Sequence, residues 1–182
     1  MARLILLDRD GVINVDSPDS IREPSQWEPL PGSLEAIAAL KAAGYVVGVC
    51  TNQQGVGLGT ISPAALEQIH SKLRRALAAA DTALDDLRFC PHRADQGCGC
   101  RKPAPGMLLE AMAALGASPD ETIFVGDSIR DVEAAHAAGC HAALVRTGNG
   151  AQIEPLARGM GVSWVGDDLA AFAEWAVDRS GW

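Results

Sequence analysis

Short runs of leucine and β-branched residues alternate along the chain with Ala- and Leu-rich runs of helical spacing. Arg3 to Leu7 reads as a buried strand. Ser33 to Ala43 is predicted helical, with Leu34, Ile37, Ala38 and Leu40 on helical spacing and Gly44 at the stop position. Tyr45 to Cys50 is a β-branched strand. Ser62 and Pro63 form a start signal, an N-cap followed by a first-turn proline. The helix after them carries Leu66, Ile69, Leu73 and Leu77 on one face. The same reading gives a strand at Leu87 to Cys90, a helix at Gly106 to Leu115 and a strand at Thr122 to Val125. A helix at Ile129 to Ala138 and a strand at Ala142 to Val145 follow. A last strand lies around Val162 to Val165, and a helix from Leu169 to Val177 closes the pattern.

Strand–helix alternation of this kind makes an α/β, Rossmann-like fold, a parallel sheet covered by helices on both faces. In such sheets ligands bind at the carboxyl ends of the strands. Three polar clusters follow predicted strands directly: Asp8-Arg9-Asp10, Thr51-Asn52-Gln53 and Gly126-Asp127-Ser128. They are expected to converge on one edge of the sheet.

The length, 182 residues, suits one domain spanning 1–182. The composition, 48% hydrophobic and 21% charged, argues against disorder. A net charge of -8 with no basic stripe argues against nucleic-acid binding. The apolar runs are too short to span a bilayer, and the N-terminus lacks a signal-peptide stretch. A cytoplasmic protein with no membrane partner is therefore expected.

Two aspartates two residues apart after a strand suit nucleophilic and acid–base work, one attacking an electrophile and the other trading protons. A solvated loop with incidental acids fits this cluster equally well. Thr51-Asn52-Gln53 suits the oxygens of an anion, although Thr and Asn are common in turns. Arg101-Lys102-Pro103 suits phosphate or plain surface charge. In Gly126-Asp127-Ser128-Ile129-Arg130-Asp131, two acids four apart straddle a helix start, which the helix dipole favours in any case. A fifth cluster is Cys90-Pro91-His92, five intervening residues, then Cys98-Gly99-Cys100. Three thiolates and an imidazole are a complete set for tetrahedral structural zinc. The polar residues around them make a buried segment of chance cysteines a poor alternative.

In sequence, Asp-x-Asp, Thr, Lys and Gly-Asp-x-x-x-Asp resemble the motif set of the haloacid dehalogenase (HAD) superfamily of phosphatases, over about residues 3 to 148. The resemblance implies that Asp8 is the nucleophile, forming an aspartyl-phosphate, and Asp10 the general acid and base. It implies Mg²⁺ held by the Asp8 carboxylate, the Asp10 carbonyl and Asp127, with Asp131 behind them. Thr51, Asn52 and Lys102 would hold the transferring oxygens, with Gln53, Arg101 and Ser128 toward the substrate.

A cysteine loop over 90–101 running into Lys102 resembles the branch of that superfamily containing heptose bisphosphate phosphatases and the histidinol-phosphatases. Asp8 to Asn14, Pro31-Gly32-Ser33, Lys102 to Leu108 and Val145 to Gly148 are similar to the heptose enzymes. They imply hydrolysis of the 7-phosphate of D-glycero-D-manno-heptose 1,7-bisphosphate to the 1-phosphate, in the synthesis of lipopolysaccharide heptose precursors. The glycine-heavy stretch Gln53 to Thr60 resembles the histidinol-phosphatases instead and keeps that substrate as the alternative. A catalytically silent binding module would have lost Asp8, Asp10, Lys102 or Asp127, and all four are present. The motif spacing leaves no room for a cap domain, so the cysteine loop and the Val15 to Pro29 loop are expected to wall the site. Arg22, Glu23 and Arg101 would then reach the rest of a small sugar phosphate. A monomer is expected.

Overall fold

The computed structural model describes residues 3–178. Six strands form one parallel sheet: β1 (Leu4–Leu7), β2 (Val46–Asn52), β3 (Asp86–Cys90), β4 (Thr122–Gly126), β5 (His141–Val145) and β6 (Trp164–Gly166). Their order across the sheet is β3-β2-β1-β4-β5-β6. Seven helices connect and cover them: α1 (Ser33–Ala42), α2 (Gln54–Gly57), α3 (Pro63–Ala79), α4 (Gly106–Leu115), α5 (Ile129–Ala138), α6 (Gly150–Gly159) and α7 (Leu169–Asp178).

All four residues of β1 are buried because both faces of the strand are covered. Ile5 and Leu7 point into a core shared with Ile37 and Leu40 of α1, Ile69 and Leu73 of α3, and Phe172 of α7. Leu4 and Leu6 point the other way, into a core with Met107 and Leu108 of α4 and Val132 and Ala135 of α5. The chain thus keeps α1, α3 and α7 on one face and α4 and α5 on the other. The Ser62 hydroxyl accepts from the Ala65 N–H at 3.0 Å and starts α3. Leu66, Ile69, Leu73 and Leu77 of that helix are buried, each stabilising the fold by about 1.5–3 kcal/mol.

Two departures from the sequence pattern bear on the site. β2 runs on to Asn52 and β4 to Gly126, so Thr51 and Asn52 are strand residues and not the loop after a strand. α6 carries Pro155 inside it, and its apolar stripe of Ile153, Ala157 and, at the C-cap, Met160 is narrow. β6 lies slightly later than the expected Val162 to Val165. Between Asp8 and Thr51 the chain holds one 3-10 turn (Pro24–Gln26) and α1. Between Thr51 and Lys102 it holds α2, α3, β3 and a second turn (Ala94–Gln96). No cap domain occurs among the described residues.

Candidate active site

The chain winds outward from β1 through β2 to β3, then restarts at β4 on the other side of β1. The carboxyl ends of β1 and β4 therefore flank the point where the winding reverses, the place such sheets bind ligands. A cavity of about 250 Å³ opens there, lined by Asp8, Asp10, Thr51, Lys102, Asp127 and Asp131 among others.

Lys102 is the centre of charge. Its Nζ lies 2.9 Å from Asp8 Oδ1 and 2.8 Å from Asp131 Oδ1, and 5.0 Å from the centre of the Phe124 ring. Burial works against the ammonium, but Asp131 and Asp8 overcome it and raise its affinity for the proton. Asn52 fixes the segment at both backbone atoms: its amide Nδ2 donates to the Lys102 carbonyl and its Oδ1 accepts from the Lys102 N–H, both at 3.1 Å. The Lys102–Pro103 peptide bond is cis.

The two aspartates of the first cluster differ sharply. Burial pushes the Asp8 carboxyl up to about 8, against the pull of Lys102 and with help from Asp131 and Asp127. Asp10 is also subject to burial, but four side-chain N–H groups outweigh it and hold its carboxyl low. Arg9 Nε and Nη2 donate to Oδ1 at 3.1 and 2.9 Å, Asn14 Nδ2 donates to Oδ1 at 2.9 Å, and Gln53 Nε2 donates to Oδ2 at 2.9 Å. Arg9 is fully buried in making this clamp.

Asp127 is pushed up to about 6, first by burial and then by Asp131. The Asn149 N–H holds its Oδ2 at 2.8 Å. Gly11 and Gly148, both with positive φ, close over this carboxylate, and a Cβ on either would collide with it. Asp131 Oδ2 accepts from the Asp127 and Ser128 N–H groups and from the Ser128 hydroxyl at 3.2, 3.0 and 2.7 Å, while Oδ1 faces Lys102. Its oxygens are thus engaged, and it stands behind Asp127.

Oxygens of Asp8, Asp127 and Asp131 lie within 4.8 Å of one another. Crowded, desolvated carboxylates with oxygen-only donors fit a hard divalent cation, which would offset the burial and the repulsion that raise Asp8 and Asp127. Since Asp131 is engaged, Asp8 and Asp127 are the acids free to face one.

A second donor set sits on the loop after β3. The His92 Nδ1 lies 3.4 Å from Cys90 Sγ and 3.2 Å from Cys100 Sγ, and the three sulfurs are 3.2 to 3.7 Å apart. A tetrahedron with metal–sulfur bonds of about 2.3 Å has edges of about 3.7 Å, so the four groups fit one metal ion. Burial works against the Cys98 thiolate, but the Arg101 N–H and the neighbouring thiols bring it down to about 6. The loop is anchored to the first site: Gln53 N–H donates to the Cys90 carbonyl at 2.8 Å, and Gly106 N–H to the Gly99 carbonyl at 2.9 Å.

Comparison with known proteins follows the same lines. The HAD-hydrolase-like family matches residues 99–172. D-glycero-beta-D-manno-heptose-1,7-bisphosphate 7-phosphatase of Pseudomonas aeruginosa is 46% identical, over 93% of this chain and 95% of its own. The chain belongs to this family of HAD-like phosphatases. It is a phosphoric monoester hydrolase. D-glycero-alpha-D-manno-heptose-1,7-bisphosphate 7-phosphatase of Mycobacterium tuberculosis is 46% identical over 72% of this chain and 70% of its own. The crystal structure of the D,D-heptose 1,7-bisphosphate phosphatase from B. bronchiseptica, complexed with magnesium and phosphate, superposes with a TM-score of 0.90. It is 45% identical and covers 97% of this chain and 98% of its own.

Within this HAD-like phosphatase, the residues singled out from the sequence divide in two. Asp8, Asp10, Thr51, Asn52, Gln53, Arg101, Lys102, Asp127, Ser128 and Asp131 all line the one cavity. Three of those expected against the substrate hold the site together instead. Gln53 spends its amide N–H groups on Asp10 and Thr51 Oγ1, Asn52 is committed to Lys102, and the Ser128 hydroxyl to Asp131. Arg22 and Glu23 do not line the cavity: Arg22 Nε donates to the Asp19 carbonyl and Glu23 accepts from Ser25. Their loop does reach the cavity, but through Asp16, Ser17 and Ser20. Those three, with Arg130 and Asn149, were missed. Arg130 had a readable signal, since it lies inside the Gly-Asp-x-x-x-Asp cluster, and Asp16, Ser17 and Ser20 lie in the loop expected to wall the site; Asn149 had none.

No helix among the described residues is long and apolar enough to cross a membrane.

Proposed function

We propose that this phosphatase hydrolyses the 7-phosphate of D-glycero-D-manno-heptose 1,7-bisphosphate, as a cytoplasmic monomer in heptose precursor synthesis. The observation that carries the reading is Lys102, paired with Asp8 and Asp131 on the loop that leaves the Cys90/His92/Cys98/Cys100 cluster. Relatives 46% identical to this chain along nearly its whole length are named for that substrate.

The geometry supports the following chemistry. The 7-phosphate enters beside Asp8, and Lys102 and the Thr51 hydroxyl hold its non-bridging oxygens. Mg²⁺, held by the Asp8 carboxylate, the Asp10 carbonyl and Asp127, would neutralise the repulsion between carboxylate and phosphate dianion. Asp8 Oδ attacks phosphorus, the bond from phosphorus to O7 breaks, and Asp10 gives its proton to O7 as it leaves. Arg9, Asn14 and Gln53 keep Asp10 ionised before substrate arrives; the incoming dianion raises its affinity for a proton, which it takes from solvent and then delivers to O7. Asp10 then takes a proton from water, the water oxygen attacks phosphorus, and Asp8 is released with inorganic phosphate.

The four donors on the loop over 90–101 would bind structural Zn²⁺, leaving no open coordination position for chemistry. Three thiols in reach of one another persist as thiols in a reducing compartment, which fits a cytoplasmic protein. Arg101, which lines the cavity beside Lys102, is placed to pair with the phosphate that stays on the sugar.

A substrate panel tests the reading. The heptose 1,7-bisphosphate should give the highest kcat/KM, with heptose 1-phosphate as product. A higher kcat/KM on histidinol phosphate would move the protein to the alternative substrate.

A further inference from the structure

A second cavity, of about 280 Å³, opens beside the first and shares Arg101, Lys102 and Arg130 with it. The two differ in sign. Five aspartates line the first. The second is lined by Arg93, Arg101, Lys102 and Arg130 with no carboxylate, in a chain of net charge -8. Not all four cations are free. Lys102 is consumed by Asp8 and Asp131, and Arg93 by Asp95 at 2.9 Å.

Arg101 and Arg130 remain. The Arg101 Nη1 meets only the His92 carbonyl, at 3.4 Å. Arg130 is exposed and, among the described residues, has no hydrogen bond or ion pair, whereas Arg146 holds both Glu154 and Asp167. Arg130 is also the second residue of α5, where aligned peptide dipoles favour anions and disfavour a cation. An unpaired guanidinium at that end of a helix breaks a local rule, and such breaks mark function.

We propose that Arg130, together with Arg101 in the same two cavities, holds the phosphate that is not transferred, and that Arg130 determines the preference of this chain for a bisphosphate. The inference rests on the bisphosphate reading and extends it to a residue outside the cysteine loop. Two guanidinium groups can each present two N–H donors to phosphate oxygens, a geometry that a lysine cannot copy. The acidic cavity then takes the reacting end of the substrate and the basic one its far end.

The test compares heptose 1,7-bisphosphate with heptose 7-phosphate on wild type, Arg130→Ala and Arg130→Lys. Arg130→Ala should lower kcat/KM for the bisphosphate about tenfold more than for the monophosphate, a difference worth about 1.4 kcal/mol. The loss should fall on KM, with Arg130→Lys recovering part of it. Because Arg130 is exposed, Tm should stay within a degree or so of wild type. Equal losses on both substrates, or a preference that survives Arg130→Ala, overturn the Arg130 assignment alone. A wild type that does not prefer the bisphosphate overturns the substrate reading as well, and the wild-type arm shows this without any variant.

Discussion

The aspartate cavity and the cysteine loop each gather groups that would bind a cation, and Cys100 stands two residues from Lys102, yet they are held in opposite ways. The cavity draws on the ends of β1, β2 and β4 and on Asn149 after β5, parts of the chain far apart in sequence. Two apolar cores and a parallel sheet fix those ends, so the carboxylates are held buried and close together, which raises Asp8 and Asp127. The cysteine loop is local. Its turn, Ala94–Gln96, buries no residue, and only Cys90 of its four metal donors is fully buried. The fold holds the first site in place, whereas the second depends on its own donor groups for shape. Four measurements break or sharpen that contrast.

The largest effect belongs to the aspartate cavity. Asp8→Asn should cut turnover at least about 10³-fold, because an amide cannot form the aspartyl-phosphate. Tm should hold or rise, because burial disfavours the Asp8 carboxylate and Lys102 keeps Asp131 as a partner. Turnover above a few per cent of wild type would refute the nucleophile assignment. Next comes Cys98→Ser, where stability and activity should fall together, by about 2–4 kcal/mol in stability and about 5–15 °C in Tm. Elemental analysis should find one zinc per wild-type chain and less in the variant; active wild type without zinc would sink the assignment.

His70 lies beneath the boundary between the two sites. It packs 5.6 Å from Phe89, the residue before Cys90, and burial and the charge of Arg9 lower its pKa to about 4. The folded state therefore prefers the neutral imidazole. Stability is complete above about pH 6.5 and falls as pH drops toward 4, by about 3 kcal/mol for this group. Denaturant titrations from pH 7 to 4 should show a shallower decline in His70→Leu than in wild type; identical slopes would contradict it. The smallest effect is expected at Cys140, which is buried but outside the cluster. Cys140→Ala should leave zinc content unchanged and cost about 1 kcal/mol, since an isolated buried cysteine behaves as a small apolar side chain.

The sequence was most legible where one force dominated. The face of α3 from Leu66 to Leu77 and the stop at Gly139 follow from burial and backbone freedom alone, and the observed elements match closely. Asp8, Lys102 and Asp127 were readable because they follow strands or the cysteine cluster directly. Gln53 and Ser128 line the expected cavity, and their hydrogen bonds to Asp10, Thr51 and Asp131 could not be read from the sequence, because the bond an amide or hydroxyl makes depends on packing distant in sequence. Asn149 and Asp16 lie in loops with no pattern of their own, and only the folded chain brings them to the cavity. α6 was missed because Pro155 inside it reads as a helix breaker and its apolar stripe is narrow.

The double contact between Asn52 and Lys102 has a consequence for how this loop can change. A side-chain amide that donates to a carbonyl and accepts from the N–H of the same residue imitates a peptide of a neighbouring strand. Lys102 is thereby paired to the end of β2 as though the sheet continued for a single residue. Loop length upstream is then uncoupled from the position of the ammonium group. Residues could be added or removed between Arg93 and Gly97 without shifting it, whereas one residue inserted between Cys100 and Lys102 would seat a different side chain in the pairing.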